Sequence, residues 1–218
     1  MIKQLIINGL RSYDDFGLMI AARKISQPKK KIVKESIPFS NVVYDFSNLN
    51  GEIYWEERTL EYSFDIAEFT TEEMEEIKSD VLNWLLNVHD VDIYDPYIYG
   101  YHFHGSFDSD SWDEDFGAGV LNISFTVYPY MIANDYDENI INVVKDEVVE
   151  DVITNKSSHR ISPTIIVDGT ITFSLNGTSY SISTGTYDDD DLFLLVGENK
   201  LIVNGEGTIT FRFIKERF

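Results

Sequence analysis

Two histidines, His102 and His104, flank Phe103. Residues two apart on a strand share a face, so both imidazoles would point the same way. Two imidazoles in that arrangement could ligate a transition metal, with Asp108 and Asp110 close enough in sequence to complete a site. The competing reading is a strand face beside a loop, which tolerates histidine without any ligand, and no metal or other cofactor is assigned. The cluster Asp108, Asp110, Asp113, Glu114 and Asp115 raises calcium. A calcium-binding EF-hand loop needs glycine at its sixth position and glutamate at its twelfth. Counted from Asp108, those positions hold Asp113 and Gly119, so the pattern fails. Asp188 to Asp191 read as a solvated acidic run. Carboxylates are so plentiful that choosing two as an acid/base couple means nothing without geometry. A glycoside hydrolase fragment has no support beyond that abundance. The chain contains no G-x-S-x-G, no HExxH and no phosphate-cradling glycine loop. No catalytic residue is assigned, and the chain reads as a non-enzyme.

The elements that would position these groups are mainly strands. Ile2 to Ile7 reads as a first strand, Gly9 to Asp15 as a loop and Phe16 to Ile20 as a short extended segment. Lys29 to Ile37 mixes lysines with Ile32, Val33 and Ile37, as an exposed or edge strand does. Leu60, Tyr62, Phe64 and Ile66 alternate with Glu61, Ser63 and Asp65, the pattern of a half-buried strand. The clearest helix is 71–88. Thr70 and Glu73 make a capping box, Phe69 and Met74 a hydrophobic staple, and the glutamates of the first turns suit the helix dipole. Met74, Ile77, Val81, Trp84, Leu85 and Val88 form one apolar stripe. Strands follow at 92–94, 97–103 and 120–128, with Gly105 to Gly119 expected as a solvated hairpin loop. Pro129 and the acidic run Asn134 to Glu138 suggest a boundary. Beyond it, β-branched residues over 139–153 favour strands. Asp168-Gly169, Asn176-Gly177 and Asn204-Gly205 read as turns between short strands. The expected fold class is therefore mainly β: an α+β domain over 1–138 with one helix, and a small β-sandwich domain over 139–218.

Composition narrows the functional classes. The net charge is −21 and there is no cysteine. The first excludes a general nucleic-acid binder, which needs a basic face. The second excludes a disulfide frame and Cys-type zinc sites. No apolar run reaches membrane-span length, and the N-terminus lacks a signal-peptide core. Residues 71–140 hold one lysine and sixteen carboxylates. That concentration serves solubility, or it makes a surface that repels phosphate. Against it stands one basic run, Lys29, Lys30, Lys31 and Lys34. The run reads as edge-strand protection or as a complementary contact between subunits.

The order of several segments resembles the distal tail protein (Dit) family of siphophages and prophages. They are Tyr13-Asp14-Asp15-Phe16-Gly17-Leu18, the strand ending Leu60-Glu61-Tyr62-Ser63-Phe64, the helix ending Asn83-Trp84-Leu85, and Asp95-Pro96-Tyr97-Ile98-Tyr99. Ile123 to Val127 closing on Tyr128-Pro129-Tyr130 continues the series. Ser162 to Gly169, Phe193 to Lys200 and Gly207 to Phe211 end it. No single motif is specific; the order and spacing over about 200 residues are.

The resemblance implies a structural virion protein. Its N-terminal domains would close into a hexameric ring around a channel for DNA, and a galectin-like sandwich would project outward. It implies tail-tip partners: the tail tube protein, a tail-associated tip protein and receptor-binding proteins of the baseplate hub. It implies synthesis in the bacterial cytoplasm and residence at the virion tail tip, without membrane or sequence-specific DNA contact. Lys29, Lys30, Lys31 and Lys34 would then meet an acidic neighbour around the ring. The last domain is short for a galectin-like sandwich, and the chain lacks insertions that would hold an added carbohydrate-binding module. The alternative function is a carbohydrate-binding protein that contacts cell-wall glycan through its C-terminal sandwich, with Tyr180 and Tyr187 as stacking candidates. Galectin-type sugar binding uses His, Asn, Arg and Trp; this domain has no Trp, and its His159 precedes the sandwich strands.

Overall fold

The computed structural model describes residues 2–48, 52–67, 70–115, 118–189 and 191–218. It is mainly β with one helix. Contacts divide it into two compact units, Met1–Met131 with Phe218, and Ile132–Arg217.

In the first unit, β1 (Ile6–Ile7), β2 (Leu10–Arg11), β3 (Met19–Ile25), β4 (Lys34–Ser36), β5 (Val43–Asp45) and β6 (Arg58–Ala67) precede helix α1 (Thr71–Leu86). β7 (Val91–Tyr94), β8 (Tyr101–Asp115) and β9 (Ala118–Val127) follow. Seven of these strands form an antiparallel sheet in the order β2-β1-β7-β8-β9-β6-β3. Among the described residues, β4 and β5 form a separate two-stranded sheet. The first strand is shorter than expected, because the chain turns at Asn8-Gly9 with positive φ at both residues.

The alternation in β6 works as the sequence predicts. Leu60, Tyr62, Phe64 and Ile66 are all buried, and Leu121, Ile123, Phe125 and Val127 of β9 join them in one core. Burying each such side chain contributes about 1.5–3 kcal/mol. The helix adds Met74, Val81, Trp84 and Leu85 to the same core, with Trp84 stacked on Phe16 at 4.7 Å. Its capping box is present: Glu73 N–H donates to Thr70 Oγ1 (3.3 Å), and Thr70 N–H donates to Glu73 Oε2 (2.8 Å). Phe69, the other half of the expected staple, lies outside the described residues.

Gly105 to Gly119 is not the expected solvated loop: residues 105–115 belong to β8, paired with β9. The reason is a bulge. Phe107 and Trp112 are five apart, so an unbroken strand would send them to opposite faces. The register shifts between Phe107 and Ser109, which puts Phe107 opposite Phe125 and Trp112 opposite Leu121, both on the core side. One inserted residue erases the period-two signal. The strand expected from Tyr97 starts only at Tyr101, after the turn around Gly100.

The second unit contains most of β10 (Met131–Val143), then β11 (Val148–Asn155), β12 (Thr164–Leu175), β13 (Thr178–Asp188) and β14 (Gly197–Arg217). β10 runs unbroken through Asn134 to Glu138, so the acidic stretch expected at a boundary is strand. β14 is the spine: β11 pairs with Gly197–Asn204, and β12 with Leu201–Arg212. β13 pairs with β12. Asn176-Gly177 is the expected hairpin turn, with φ of 50° and 90°, as a two-residue type I′ turn requires. Asp168-Gly169 and Asn204-Gly205 are not turns. Both lie inside long strands, where Gly169 faces Gly207 and Gly205 faces Ile171. These glycines have φ of 127°, 130° and 135°, for residues 169, 205 and 207. A Cβ on Gly207 would sit 2.0 Å from the Asp168 carbonyl oxygen. The glycines thus let two backbones bend together and stay in register, rather than reverse the chain.

This difference is measurable. Gly207→Ala should destabilise the protein by more than about 3 kcal/mol or unfold the second unit, whereas Gly177→Ala, which meets nothing within 4 Å, should lose about 1–2 kcal/mol. Urea unfolding followed by tryptophan-independent circular dichroism distinguishes them. Equal losses would contradict the in-strand role of Gly207.

Candidate functional site

Three features could carry function: an imidazole–carboxylate cluster, two clefts in the second unit, and an exposed arm.

The cluster is built on the β7–β8 pairing, which sets Asp92 opposite His104. His104 Nδ1 lies 2.8 Å from Asp92 Oδ1, and its Nε2 lies 2.9 Å from Asp90 Oδ1. Carboxylates only accept, so both ring nitrogens donate and the imidazolium form is favoured. Its pKa is raised above the ordinary value, first by the Asp92 hydrogen bond; partial desolvation opposes this and Asp90 adds to it. His102 is buried, with Nε2 3.4 Å from the same Asp92 oxygen and its ring against Tyr94. The His89 ring nitrogen Nδ1 lies 3.1 Å from the Ser106 hydroxyl.

Asp108 and Asp110, the expected co-ligands, do not join the two histidines. Asp110 lies six residues along β8 from His104, roughly 20 Å by strand rise, and accepts from Trp112 Nε1 at 3.0 Å. Asp108 sits at the bulge. The partners are instead Asp90 and Asp92, which the sequence reading did not connect to the histidines; only strand register reveals them. Among the described residues, no three His, Asp or Glu side chains converge to hold a metal ion.

A second carboxylate is buried nearby. Asp95 is 3% exposed. It accepts from Arg23 Nη1 (2.7 Å), the Tyr62 hydroxyl (2.8 Å) and Tyr97 N–H (2.7 Å). Burial, then the adjacent Asp95 charge, pushes the Tyr62 phenol up. Both carboxylate oxygens of Asp95 are engaged within the chain, so it locks β3, β6 and the 95–98 turn together.

In the second unit, a cleft of about 330 Å³ gathers His159, Arg160, Arg212 and Glu216. His159, expected ahead of the sandwich strands, therefore sits against β14, with Nε2 3.2 Å from Glu216 Oε2. Arg212 Nε donates to Glu138 at 2.6 Å. A cleft of about 350 Å³ is lined by Tyr180, Tyr187, Asp188 and Asp189. One face of Tyr180 is stacked on buried Phe173 at 5.0 Å, so its ring serves the core. Asp188 and Asp189 are exposed, and Asp189 Oδ1 accepts from Asp191 N–H. Asp190 lies outside the described residues.

The arm is the most unusual feature. Every residue from Lys29 to Phe46 is exposed. They include Ile32 (63%), Ile37 (47%), Phe39 (110%), Val43 (58%) and Tyr44 (49%). β4 and β5 close a hairpin at its tip. Lys31 N–H to Tyr54 O, Glu56 N–H to Lys29 O and the Lys30–Trp55 bridge fasten its base. Among the described residues no core covers these apolar side chains, and monomeric proteins rarely expose so many together. The basic run lies on this arm. Lys34 already pairs with Asp45 on the same hairpin at 3.6 Å. Among the described residues, Lys29, Lys30 and Lys31 form no ion pair.

The His104 cluster yields a pH prediction. Because its folded pKa is raised, its contribution to stability is fully present below the unfolded value near 6.5 and is lost as pH rises through the higher folded value. Asp92→Asn should lower the His104 pKa in an NMR titration and flatten that pH dependence. An unchanged titration would show that Asp92 does not hold the ring.

No known family profile matches the chain, and no curated protein matches its sequence. Among solved structures, the chain is similar in fold to the crystal structure of the SPP1 Dit (gp 19.1) protein, described as a paradigm of the hub adsorption apparatus in phages that infect Gram-positive bacteria. The TM-score is 0.70 over 98% of this chain and 99% of that one, at 14% sequence identity. The two proteins share an architecture along their whole length.

Proposed function

We propose that this chain is a distal tail protein of a siphophage or prophage, an architectural component that assembles into a hexameric ring between the tail tube and the tail-tip, receptor-binding apparatus. The full-length likeness of fold to the SPP1 protein supports the class. The observation that carries the assembly is the exposed apolar arm from Lys29 to Phe46. A head-to-tail contact, in which the arm of one copy lies on the next, propagates around a ring and closes when the rotation divides a full turn. Burial of Ile37, Phe39 and Tyr44 against the neighbour supplies the driving force. Lys29, Lys30 and Lys31 supply complementarity in a chain of net charge −21, facing carboxylates of the neighbouring copy other than those assigned to the channel. The first unit forms the ring and the second projects from it. No helix among the described residues is long and apolar enough to cross a membrane.

The role in DNA passage follows from charge. Glu72, Glu75 and Glu76 of α1, and Asp108 and Asp113 of β8, are exposed. Facing a channel, they would repel the phosphate backbone and let DNA slide without adhering. Six-fold averaged images of the assembly test this directly. Carboxylates of α1 and β8 on the outer rim, rather than the lumen, would defeat the channel reading while leaving the ring intact.

The assembly itself is tested by light scattering and negative-stain imaging of the purified chain, alone and with a tail tube partner. The expected particle is a hexamer with a central hole. Phe39→Asp combined with Ile37→Asp should leave the fold intact, since neither side chain is buried, and should abolish the ring. Lys29→Glu, Lys30→Glu and Lys31→Glu together should weaken it by tenfold or more, about 1.4 kcal/mol, with high salt weakening the unmodified ring. A ring unaffected by either set would remove the arm from the interface.

A further inference from the structure

A positive charge is buried in the first unit without a counter-charge. Arg58, the first residue of β6, is 4% exposed. Its Nε and Nη2 are both buried, and neither has a hydrogen-bond partner among the described residues. Arg11, Arg23 and Arg212, by contrast, each pair with a carboxylate, at 3.3, 2.7 and 2.6 Å. Arg58 instead lies over the ring of buried Phe103, with Cζ 4.9 Å from the ring centroid. Burial lowers its pKa, but a guanidinium does not give up its proton in a protein. The cost of desolvating the charge therefore stands, and a methionine in the same place would not incur it. Buried donors left unused call for a partner.

We propose that the Nε–Nη2 edge of Arg58 is a binding site for one carboxylate, supplied by a small carboxylic acid or by an acidic side chain of a neighbouring copy. The two unused atoms select the ligand. Nε and Nη2 form the side edge of the guanidinium, where two N–H bonds run parallel and match the two oxygens of a carboxylate. A point anion would leave one of the two donors unused. A phosphate would bring more charge and more oxygens to desolvate beside apolar Phe103 and Val127. The edge is also held in place. The β6–β9 ladder sets Arg58 opposite Val127. Ser26 fastens the next residue, because Thr59 N–H donates to Ser26 Oγ at 2.7 Å and Ser26 N–H donates to the Thr59 carbonyl at 3.0 Å. Stacking on Phe103 fixes the plane of the guanidinium. Exposed Glu57 precedes Arg58, and Tyr128, 38% exposed, follows Val127. The guanidinium thus lies at the margin of the core, within reach of a ligand from outside. A small acid as the source is independent of the proposed ring; a neighbouring copy as the source rests on it.

Formate is the probe. Thermal unfolding of the full chain is followed in sodium formate and in sodium chloride of equal ionic strength, for the unmodified protein, Arg58→Met and Arg58→Lys. Formate should raise the Tm of the unmodified protein along a saturating curve. It should also move the Arg58 Nε–H signal in a nitrogen-resolved NMR spectrum, a signal identified by its loss in Arg58→Lys. Arg58→Met should have a Tm at or above that of the unmodified protein without formate, and should not respond to it. Arg58→Lys keeps the charge but loses the paired donors, and should need roughly tenfold more formate. Protein concentration separates the sources. Association that Arg58→Met weakens and formate competes away assigns the site to a side chain of a neighbouring copy. Association indifferent to both, with saturable formate binding, assigns it to a small acid. Phe39→Asp with Ile37→Asp should leave the formate response intact, so failure of the ring and failure of this site are read separately. Equal responses to formate and chloride, a response retained in Arg58→Met, or an Nε–H signal that formate does not move would each overturn the proposal.

Discussion

The antiparallel ladder of β6 on β9 is the interaction on which the first unit depends. It pairs residues 58–67 with 118–127 without a break. It is also the one arrangement that turns two alternating sequences toward the same side. Leu60 lies opposite Phe125, Tyr62 opposite Ile123 and Phe64 opposite Leu121, so large side chains meet in cross-strand pairs before anything is laid on them. The helix covers this face, and β8 and β3 extend it on either edge. Asp95 then fixes the angle of one corner, because its carboxylate accepts from Arg23 and Tyr62 on β3 and β6 while its own chain turns into β8. Removing a partner of such a buried carboxylate costs more than an exposed ion pair contributes. That is why Asp95 reads as structural although it sits among the cationic and aromatic groups that often mark binding sites.

The second unit depends on a different constraint, close backbone approach. β12 and β14 hold continuous pairing through Gly169, Gly205 and Gly207, where no Cβ fits. Asn199 supports the other end of the spine. Wholly buried, its side chain donates to Ile153, Leu195 and Gly197 carbonyls and accepts from Leu195 N–H and the Asn176 amide. One amide thus satisfies the polar backbone where β14 leaves its loop and passes between β11 and the Asn176-Gly177 turn. A short unit attains a full core because one 21-residue strand serves β11 and β12 along its length.

The function proposed for this protein belongs to surfaces. The polar groups that gather do so in self-contained networks, such as Asp90–His104–Asp92, whose donors and acceptors answer one another. Among the described residues, an apolar arm and an excess of negative charge stand out as unanswered within a single chain. Each is a cost to a solitary molecule: exposed Phe39 and Ile37 invite association, and crowded carboxylates repel one another.

By itself the sequence determined the local elements whose signal is periodic or covalent. The alternation of β6 and β9, the capped helix with its stripe of Met74, Val81, Trp84 and Leu85, and the Asn176-Gly177 hairpin follow from side-chain period and backbone preference within a few residues. The lysine run and the acid excess were also legible, because charge is a property of composition. The tertiary structure decided what depends on partners distant in the chain. Only the β7–β8 register joins His104 to Asp90 and Asp92 instead of Asp108 and Asp110. Only the bulge at Asp108 makes Phe107 and Trp112 share a face and turns an apparent loop into strand. Only the approach of β12 to β14 makes two aspartyl- and asparaginyl-glycine pairs bends within strands, where local rules expect turns. The arm divides differently: lysines mixed with Ile32, Val33 and Ile37 already read as an exposed or edge strand, and only the folded chain shows that exposure runs unbroken from Lys29 to Phe46.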